Sequence, residues 1–465
     1  MVNYLLATLS GLLLWGGFAP LEVWFTPILG IALLFQTLCG KTILERFILS
    51  LLAGLSFFLP LLHWSSIYVG SVPWLVLAFG QSLLFCLIAI PNWSRSSASA
   101  LQFSALFTLI ELLRMKVPFG GFGWGRLGFT QIDSLTFAYP LVGVTGVSLL
   151  VAFSTLMVTS IRSFLLAATF LFLMQVNPFF RPNIPEAKFI QVTAIQGGVD
   201  KLGLDFNQRA TRILKRHIDE THFIQGTDLY IWPENASDID PIKNKEARKE
   251  IVNLSKRIKA PLLVGAVESS PEGPTNSSLL FDSNGELVSR YIKQDLAPFG
   301  EYMPLRKLAE IISPYAERVN DFRPGSDWVK HSVNGIPFQA LICFEVLDDD
   351  HVKTGALGSA FLVAQTNNAT FGKSSEAAQQ FQITRARAAE LAREFAVVST
   401  TGLTAHLNQH GEILDRAPQF EPRRLTMNIH LEDPEKKTPA QRTTSWMWLI
   451  ALFAIMVLPG MRISR

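Results

Sequence analysis

The sequence predicts a chain in two parts: a multi-pass α-helical membrane domain, counted at eight transmembrane helices, and an α/β domain in which helices pack on a sheet. Three observations predict it. Residues 1–177 hold long apolar runs almost without charge, whereas residues 188–434 have the mixed charged and apolar texture of a domain that faces water. The two textures meet at the Pro/Asn-rich "VNPFFRPNIPEAK". Nearly half of the 465 residues, 49%, are apolar, and the mean hydropathy of +0.27 is too high for a protein that lies wholly in water.

A spanning helix needs about 20 mostly apolar residues, fewer where it sits among others. By that measure the spans fall at 3–17, 25–39, 46–66, 73–91, 99–114, 138–160 and 163–176, with an eighth, "SWMWLIALFAIMVLPGM", at 445–461. The first has no Lys or Arg before its apolar core and no small-residue cleavage site after it, so it reads as a retained helix and not as a signal peptide. Short cytoplasmic loops carry an excess of Lys and Arg. With the N-terminus inside, the inner loops hold Lys41 and Arg46, then Arg95, then Arg162, and the tail holds Arg462 and Arg465. The outer loops at 18–24 and 67–72 hold neither residue type; the loop at 115–137 carries Lys116 and Arg126 against the rule, as functional groups or as tolerated ones. Seven spans then place residues 188–434 on the extracytoplasmic face of the cell membrane.

In that domain strands alternate with helical stretches: "KFIQVTAIQ", the amphipathic "DFNQRATRILKRHIDETHFI", "DLYIWPE", "NKEARKEIVNLSKRIKA" and "PLLVGAVE". This β/α order predicts a layered α/β domain. From residue 277, "SLLFDSNGELVSRYIKQDL" reads as two strands around an Asn-Gly turn, the strongest short hairpin signal.

Three strand ends carry reactive side chains. "LYIWPEN" stays apolar until Pro233 stops the ladder and Glu234 follows; the second hairpin strand ends on Lys293; "ALICFE" ends on Cys343. Cys39 and Cys86 lie inside apolar segments, so a disulfide framework is not available and Cys343 is left unpaired in an oxidising compartment. Each residue has a plain structural reading: Glu234 as a carboxylate at a helix N-terminus, Lys293 as a solvated strand-end charge, Cys343 as a small core residue. Together they make chemical sense. A carboxylate base or a neighbouring ammonium turns a thiol into a nucleophile, and a fixed cation stabilises the oxyanion that forms when a thiolate attacks an acyl carbonyl. That combination is a covalent acyl-transfer site, provided the sheet order brings the three ends together.

The segments "WPEN", "KQDLAPFGEYMP" and "ICFE", in that order, resemble the Glu, Lys and Cys segments of the nitrilase superfamily, and their fusion to a membrane domain resembles the apolipoprotein N-acyltransferase family. "FGWGRLGFTQIDSLTFAYPLVGVTGVSLLV" and "RARAAELAREFAVVSTTGLTAHLNQHGEIL" agree, so the resemblance covers essentially the whole chain. It implies an αββα sandwich inserted before the last of eight transmembrane helices. It implies the reaction as well: an acyl chain passes from a phospholipid donor to Cys343 as a thioester, then to the α-amino group of a diacylated apolipoprotein acceptor. By matching position Glu234 would be the general base, Lys293 the oxyanion stabiliser and Cys343 the nucleophile. Glu301 and Glu345 would be supporting carboxylates that orient Lys293 or the substrate amine. No cofactor is implied. In "TNNATFGKSSEAAQQF" the chain departs from the commonest family pattern, with Asn368, Thr370 and Lys373 where Asp, Trp and Asp are frequent, which touches lipid contacts of the loop that holds Phe371.

Trp124 and Arg126 in "PFGGFGWGRLGF" suit an interfacial loop, with aromatics at headgroup level and Arg126 facing a lipid phosphate; the alternative is a plain interhelical loop. "DDDH" at 348–351 reads as a solvated turn or a helix cap, since no histidine shows ligand spacing with it, and no metal site is expected. The run at 385–393 reads as a helix with a charged face; with a net charge of +3 the chain is near balance, and no nucleic-acid partner is expected. Two rivals stand beside the acyltransferase: a membrane-tethered amidase or nitrilase that uses water as acceptor, and a transporter or sensor, for which the membrane helices offer few ionisable residues, chiefly Glu111.

Overall fold

The computed structural model describes residues 1–67, 70–160, 162, 165, 169, 188–199, 210–237, 239–307, 310 and 319–461. The chain divides into two compact units, Met1–Ile184 with Thr438–Arg465, and Pro185–Lys437.

The first unit is helical: α1 (Val2–Trp15), α2 (Thr26–Leu38), α3 (Ile43–Leu61), α4 (Ser71–Phe85), α5 (Ser97–Lys116) and α6 (Tyr139–Ala152), with a last helix at Ser445–Met461. Four stretches are long and apolar enough to cross a membrane: Ile43–Leu61, Ser71–Ala89, Ser97–Lys116 and Thr136–Val158. Val2–Trp15, Thr26–Leu38 and Ser445–Val457 are shorter apolar helices, and all but residues 165 and 169 of the span expected at 163–176 lie outside the described residues. The described residues therefore give four candidate spans where the sequence reading counts eight. A capping box starts α3, in which Thr42 Oγ1 accepts from the Glu45 amide and Glu45 Oε2 accepts from the Thr42 amide. The span expected at 138–160 is interrupted, because Gly143 of α6 has φ 68° and breaks the helix.

Between α5 and α6 the chain is largely irregular, and buried charges hold it. Glu111 accepts from the Leu127 amide at 2.7 Å, Arg114 donates to Gln81 Oε1 and to the Trp124 carbonyl, and Arg126 donates to Thr145 Oγ1 at 2.7 Å. Glu111 thus anchors a backbone turn, which is a structural use for the one ionisable group that the transporter reading singles out.

The second unit holds twelve described strands: β1 (Phe189–Gln196), β2 (Leu229–Ile231), β3 (Leu262–Glu268), β4 (Thr275–Phe281), β5 (Leu287–Ile292), β6 (His331–Val333), β7 (Ile336–Ile342), β8 (Phe361–Thr366), β9 (Phe395–Ser399), β10 (Ala405–Leu407), β11 (Ile413–Arg416) and β12 (Arg423–His430). They form two six-stranded sheets, ordered β12-β1-β2-β3-β4-β5 and β11-β10-β9-β8-β7-β6. One core joins them: Val192, Ile231 and Leu263 of the first sheet pack with Ala340, Val363 and Val398 of the second. Strands buried on both faces read as apolar runs and not as alternation, which is why "PLLVGAVE" and "ALI" are continuous.

Helices α7 (Ala210–Glu220), α8 (Lys245–Ile258), α9 (Asp349–Ala356) and α10 (Glu376–Leu391) complete the unit. Asn244 caps α8 by accepting from the Glu246 and Ala247 amides. Ala247, Ile251, Leu254 and Ile258 then share one stripe, buried against Tyr230, Leu262 and Val264 on the outer face of the first sheet. The layers are helix, sheet and sheet, with α9 and α10 on the second sheet's side, matching the αββα sandwich.

Helix α10 corrects the charged-face reading of 385–393. Arg387 is fully buried and donates to the carbonyls of Val346 and Leu347, in the 3-10 turn Cys343–Leu347, and to Asp349. It also pairs with Glu390. The "DDDH" turn is likewise built in: Asp348 caps α9 through the amides of Asp350 and His351. Removing one partner of a buried pair strands the others, at about 3–5 kcal/mol. Arg387→Met is therefore expected to destabilise the purified protein by roughly that amount, read as a large drop in melting temperature, whereas Arg416→Met on the exposed edge strand β11 should leave it nearly unchanged.

Candidate active site

The strand ends do converge. Pro233, which has no N–H for the ladder, ends β2 and delivers Glu234. Glycine at 265 in β3 makes room for it, since a Cβ there would lie 2.1 Å from the Pro233 carbonyl oxygen. Lys293 follows β5 directly and is fastened by its amide to the Asn276 carbonyl of β4 at 2.8 Å. Cys343 follows β7 and takes φ 52°, a left-handed conformation that a side-chain-bearing residue keeps only where its surroundings enforce it.

Lys293 is 1% exposed and Glu234 4%. Lys293 Nζ lies 3.3 Å from Glu234 Oε1 and 2.8 Å from Glu301 Oε2. Asn276 Nδ2 bridges the two carboxylates, at 2.7 Å to Glu234 and 2.8 Å to Glu301, and the Ala297 amide donates to Glu301. Burial works against the Lys293 charge, but Glu301 and then Glu234 hold its pKa well above the usual lysine range. Burial raises the Glu234 carboxyl, with Lys293 pulling the other way. The Cys343 thiol is pushed well up by burial and then by Glu234, against the pull of Lys293. At rest the site thus favours a protonated thiol beside a carboxyl group of raised basicity, with a fixed ammonium. That arrangement can pass a proton from sulfur to carboxylate as sulfur attacks, and hold charge on an acyl oxygen.

Glu345 is fully buried, and its carboxylate bonds to backbone amides, Tyr291 and His351. Its Oε2 accepts from the Ile342 amide at 2.7 Å, and its Oε1 from the Gln294 amide and Tyr291 Oη, both at 2.8 Å. It thus ties the residue before Cys343 to the residue after Lys293, across the two sheets. His351 stands beside it, with Nε2 3.3 Å from Glu345 Oε1 and Nδ1 3.1 Å from Asp295 Oδ2. Burial disfavours charge on both partners, yet each holds the other's charged form, so the pKa of Glu345 is lowered and that of His351 raised.

The lipid candidates fare differently. Trp124 and Arg126 are 3% and 1% exposed, and Arg126 donates to Thr145 and Met115. This corrects the expectation that these two meet lipid at the interface, because their side chains pack inside the helical unit. Val117 and Phe119 are the exposed apolar residues of that loop. Phe371 ends a 3-10 turn, Ala369–Phe371, and is half-buried. The sequence reading missed Asn276, Gln380 and Glu376. Gln380 Nε2 lies 3.4 Å from Cys343 Sγ, and Glu376 is buried, accepting from Asn368 at 2.8 Å. Both lie in "TNNATFGKSSEAAQQF", where a glutamate amid mostly small and uncharged polar residues, with Lys373 the other charge, was the available signal. Among the described residues no group of three or more His, Cys, Asp or Glu could hold a metal ion.

A two-sheet sandwich with Glu, Lys and Cys at its strand ends defines the carbon-nitrogen hydrolase class, and a family model described as Carbon-nitrogen hydrolase matches residues 192–436. A second, described as Apolipoprotein N-acyltransferase N-terminal domain, matches residues 10–157. A protein of Mycolicibacterium smegmatis named Apolipoprotein N-acyltransferase is 32% identical over 98% of this chain and 83% of its own length. One of the same name from Geobacter metallireducens is 27% identical over 93% of this chain and 90% of its own. The chain belongs to the apolipoprotein N-acyltransferase family. Among solved structures, a Nesterenkonia amidase from the nitrilase superfamily is 17% identical, with a TM-score of 0.41 over 58% of this chain and 100% of that one.

The Glu376 carboxyl, ordinarily near 4.5, is pushed up to about 8 by burial first, with Asn368 pulling down and Glu234 adding to the rise. Between those values the folded state holds a proton that the unfolded chain has lost, so stability falls as pH rises through that window, by at most about 1.4 kcal/mol for each step of one in pH. Glu376→Gln removes the effect. The melting temperature of the variant relative to wild type is expected to increase from pH 5 to pH 8; an unchanging difference would contradict the assignment.

Proposed function

We propose that this lipoprotein acyltransferase takes its acyl chain from a membrane phospholipid and carries it as a thioester on Cys343 before releasing it to the α-amino group of a diacylated N-terminal cysteine. The observation that carries the reading is the buried Glu234–Lys293–Glu301 cluster at the foot of the Cys343 turn, in a chain of this family. Glu234 accepts the thiol proton as sulfur attacks the donor ester carbonyl, and returns it to the departing lysophospholipid alkoxide. In the second half it takes a proton from the attacking amine as the thioester carbonyl is converted to amide and the thiol is regenerated. Lys293 holds the oxyanion in both halves, and Glu301 keeps Lys293 in place.

The membrane arrangement belongs to the same proposal. Seven helices within residues 1–177 and an eighth at 445–461 would span the cell membrane, with residues 188–434 on the extracytoplasmic face. The charge distribution of the short loops supports this, and so does the chemistry, since both substrates are lipids anchored in the bilayer.

The purified protein, incubated with a defined phospholipid, is expected to gain an acyl chain on Cys343 by mass spectrometry and to lose it on addition of a diacylated lipopeptide. Release of free acid without amine would instead identify a hydrolase. Cys343→Ala should give no adduct. Glu234→Gln should slow both half-reactions about 10²- to 10⁴-fold. Lys293→Met should cost about 3–4 kcal/mol at each oxyanion. Either variant turning over at the wild-type rate removes the role given to that residue.

Topology has its own measurement. A membrane-impermeant maleimide should label a cysteine placed at position 273, in the hydrophilic "SSPEGPTN" loop, in intact spheroplasts. Labelling only after lysis would put the domain on the cytoplasmic side.

A further inference from the structure

Glu234 and Lys293, on the first sheet, act on the thiol electrostatically, but a second set of buried polar groups, on the side of the second sheet, reaches the sulfur directly. Gln380 on α10 is 3% exposed; its Nε2 lies 3.4 Å from Cys343 Sγ and its Oε1 accepts from Asn368 Nδ2 at 2.9 Å. The two ends of a carboxamide have nearly the same shape and opposite chemistry: the nitrogen donates and the oxygen only accepts. Which end faces the sulfur decides whether the amide stabilises a thiolate or repels it.

A directional chain makes that choice. It begins at the Gly402 amide, which can only donate, and which donates to Ser399 Oγ at 2.9 Å. The Ser399 hydroxyl proton is then directed to Asn368 Oδ1 at 2.7 Å, and Thr366 Oγ1 donates to the same oxygen at 3.0 Å. With its oxygen so engaged, Asn368 turns Nδ2 toward two acceptors, Gln380 Oε1 and Glu376 Oε2. Gln380 is left with Nε2 for the sulfur. Thr366, Asn368, Glu376, Gln380 and Ser399 are all at most 4% exposed, so water does not compete and each misdirected group would carry a full penalty. The packing admits only glycine at 402, where a Cβ would lie 2.3 Å from Asn368 Oδ1 and 2.7 Å from Ser399 Oγ.

We propose that Gln380 is a further catalytic residue, whose Nε2–H donates to the Cys343 sulfur, and that Asn368 is the positioning residue that fixes the donor end of the amide toward it. The inference rests on the reading of Cys343 as the nucleophile. As the S–H proton passes to the Glu234 carboxylate, charge appears on sulfur and the Gln380 hydrogen bond becomes charge-assisted and stronger. The same bond receives the thiolate again when the amine expels it. The first sheet thus supplies the proton acceptor and the oxyanion cation, while the second sheet steadies the sulfur.

The test is the rate of Cys343 alkylation by iodoacetamide against pH, in the full-length protein in detergent, with the labelled peptide identified by mass spectrometry. Gln380→Met keeps the length and removes the donor; Asn368→Asp keeps the volume and replaces the donor that faces Gln380 Oε1 with an acceptor. A hydrogen bond to a charged group is expected to be worth about 10- to 100-fold here, so both variants should alkylate more slowly by that factor at fixed pH. Their rate profiles should move to higher pH by about one to two, read at a temperature at which each variant is folded, because a buried group left without its partner lowers the melting temperature. A wild-type profile in Gln380→Met overturns the role of Gln380. A slow Gln380→Met with a wild-type Asn368→Asp overturns the positioning chain, and if Gln380→Met does not fold, Asn368→Asp alone decides. Alkylation needs neither phospholipid nor lipoprotein, so wild-type protein that alkylates normally yet forms no thioester would sink the acyl-transfer reading and leave this one standing.

Discussion

The α/β unit is organised around one buried cation. An ammonium taken out of water is tolerated only when it is paired and hydrogen-bonded, and Lys293 meets that condition through two carboxylates at once. Two carboxylates on one ammonium leave a net negative charge, which Asn276 and the Ala297 amide offset with donors. The geometry that follows is rigid. Glu301 is held by backbone as well as by Lys293, so it fixes the ammonium, and the more loosely held Glu234, at 3.3 Å, keeps a carboxylate whose pKa burial has raised. The anchoring role proposed for one carboxylate and the reactive role proposed for the other rest on their different surroundings, not on different chemistry.

A buried cation on one sheet is useful only if the nucleophile on the other sheet meets it, and Glu345 sets that relation. Its four bonds run to the Ile342 and Gln294 amides, to Tyr291 and to His351, so the ends of β5 and β7 cannot slide apart without breaking a carboxylate's contacts in a dry interior. Arg387 secures the other side of the same turn by binding the carbonyls of Val346 and Leu347. The left-handed backbone of Cys343 is therefore clamped at Ile342 before it and at Val346 after it, which accounts for a conformation that an isolated chain would leave.

Much of this was legible in the sequence, for reasons that also explain what was not. Strands end where Pro233 stops a ladder or an Asn-Gly turn closes a hairpin, and those signals are local, so Glu234, Lys293 and Cys343 could be found one by one. Glu301 emerged only through the resemblance, and Asn276, Gln380 and Glu376 escaped altogether. A buried polar residue is recognised by its partner, and the partners lie far along the chain: Asn276 meets Glu234 across 42 residues and Gln380 meets Cys343 across 37. The helix at 385–393 misled for the same reason, since periodicity shows a charged face without showing that Asp349 and two carbonyls await Arg387 on the buried side.

The helical unit repeats the lesson in a drier setting. In hydrocarbon an unpaired backbone group has no water to turn to, so irregular chain at membrane depth survives only where protein satisfies it. The segment between α5 and α6 is largely irregular chain, and Glu111 and Arg114 serve its buried backbone through the Leu127 amide and the Trp124 carbonyl. Ionisable residues in apolar helices prompt the expectation of a transport path or a lipid-headgroup site. Here two of them are committed to backbone, and Arg126 to Thr145 and Met115, so the charges work as scaffold. The exposed apolar side chains of this loop are Val117 and Phe119, whose contact with an apolar surface would carry none of the desolvation cost that an arginine would incur. The charged chemistry of the proposed reaction stays with the residues around Cys343.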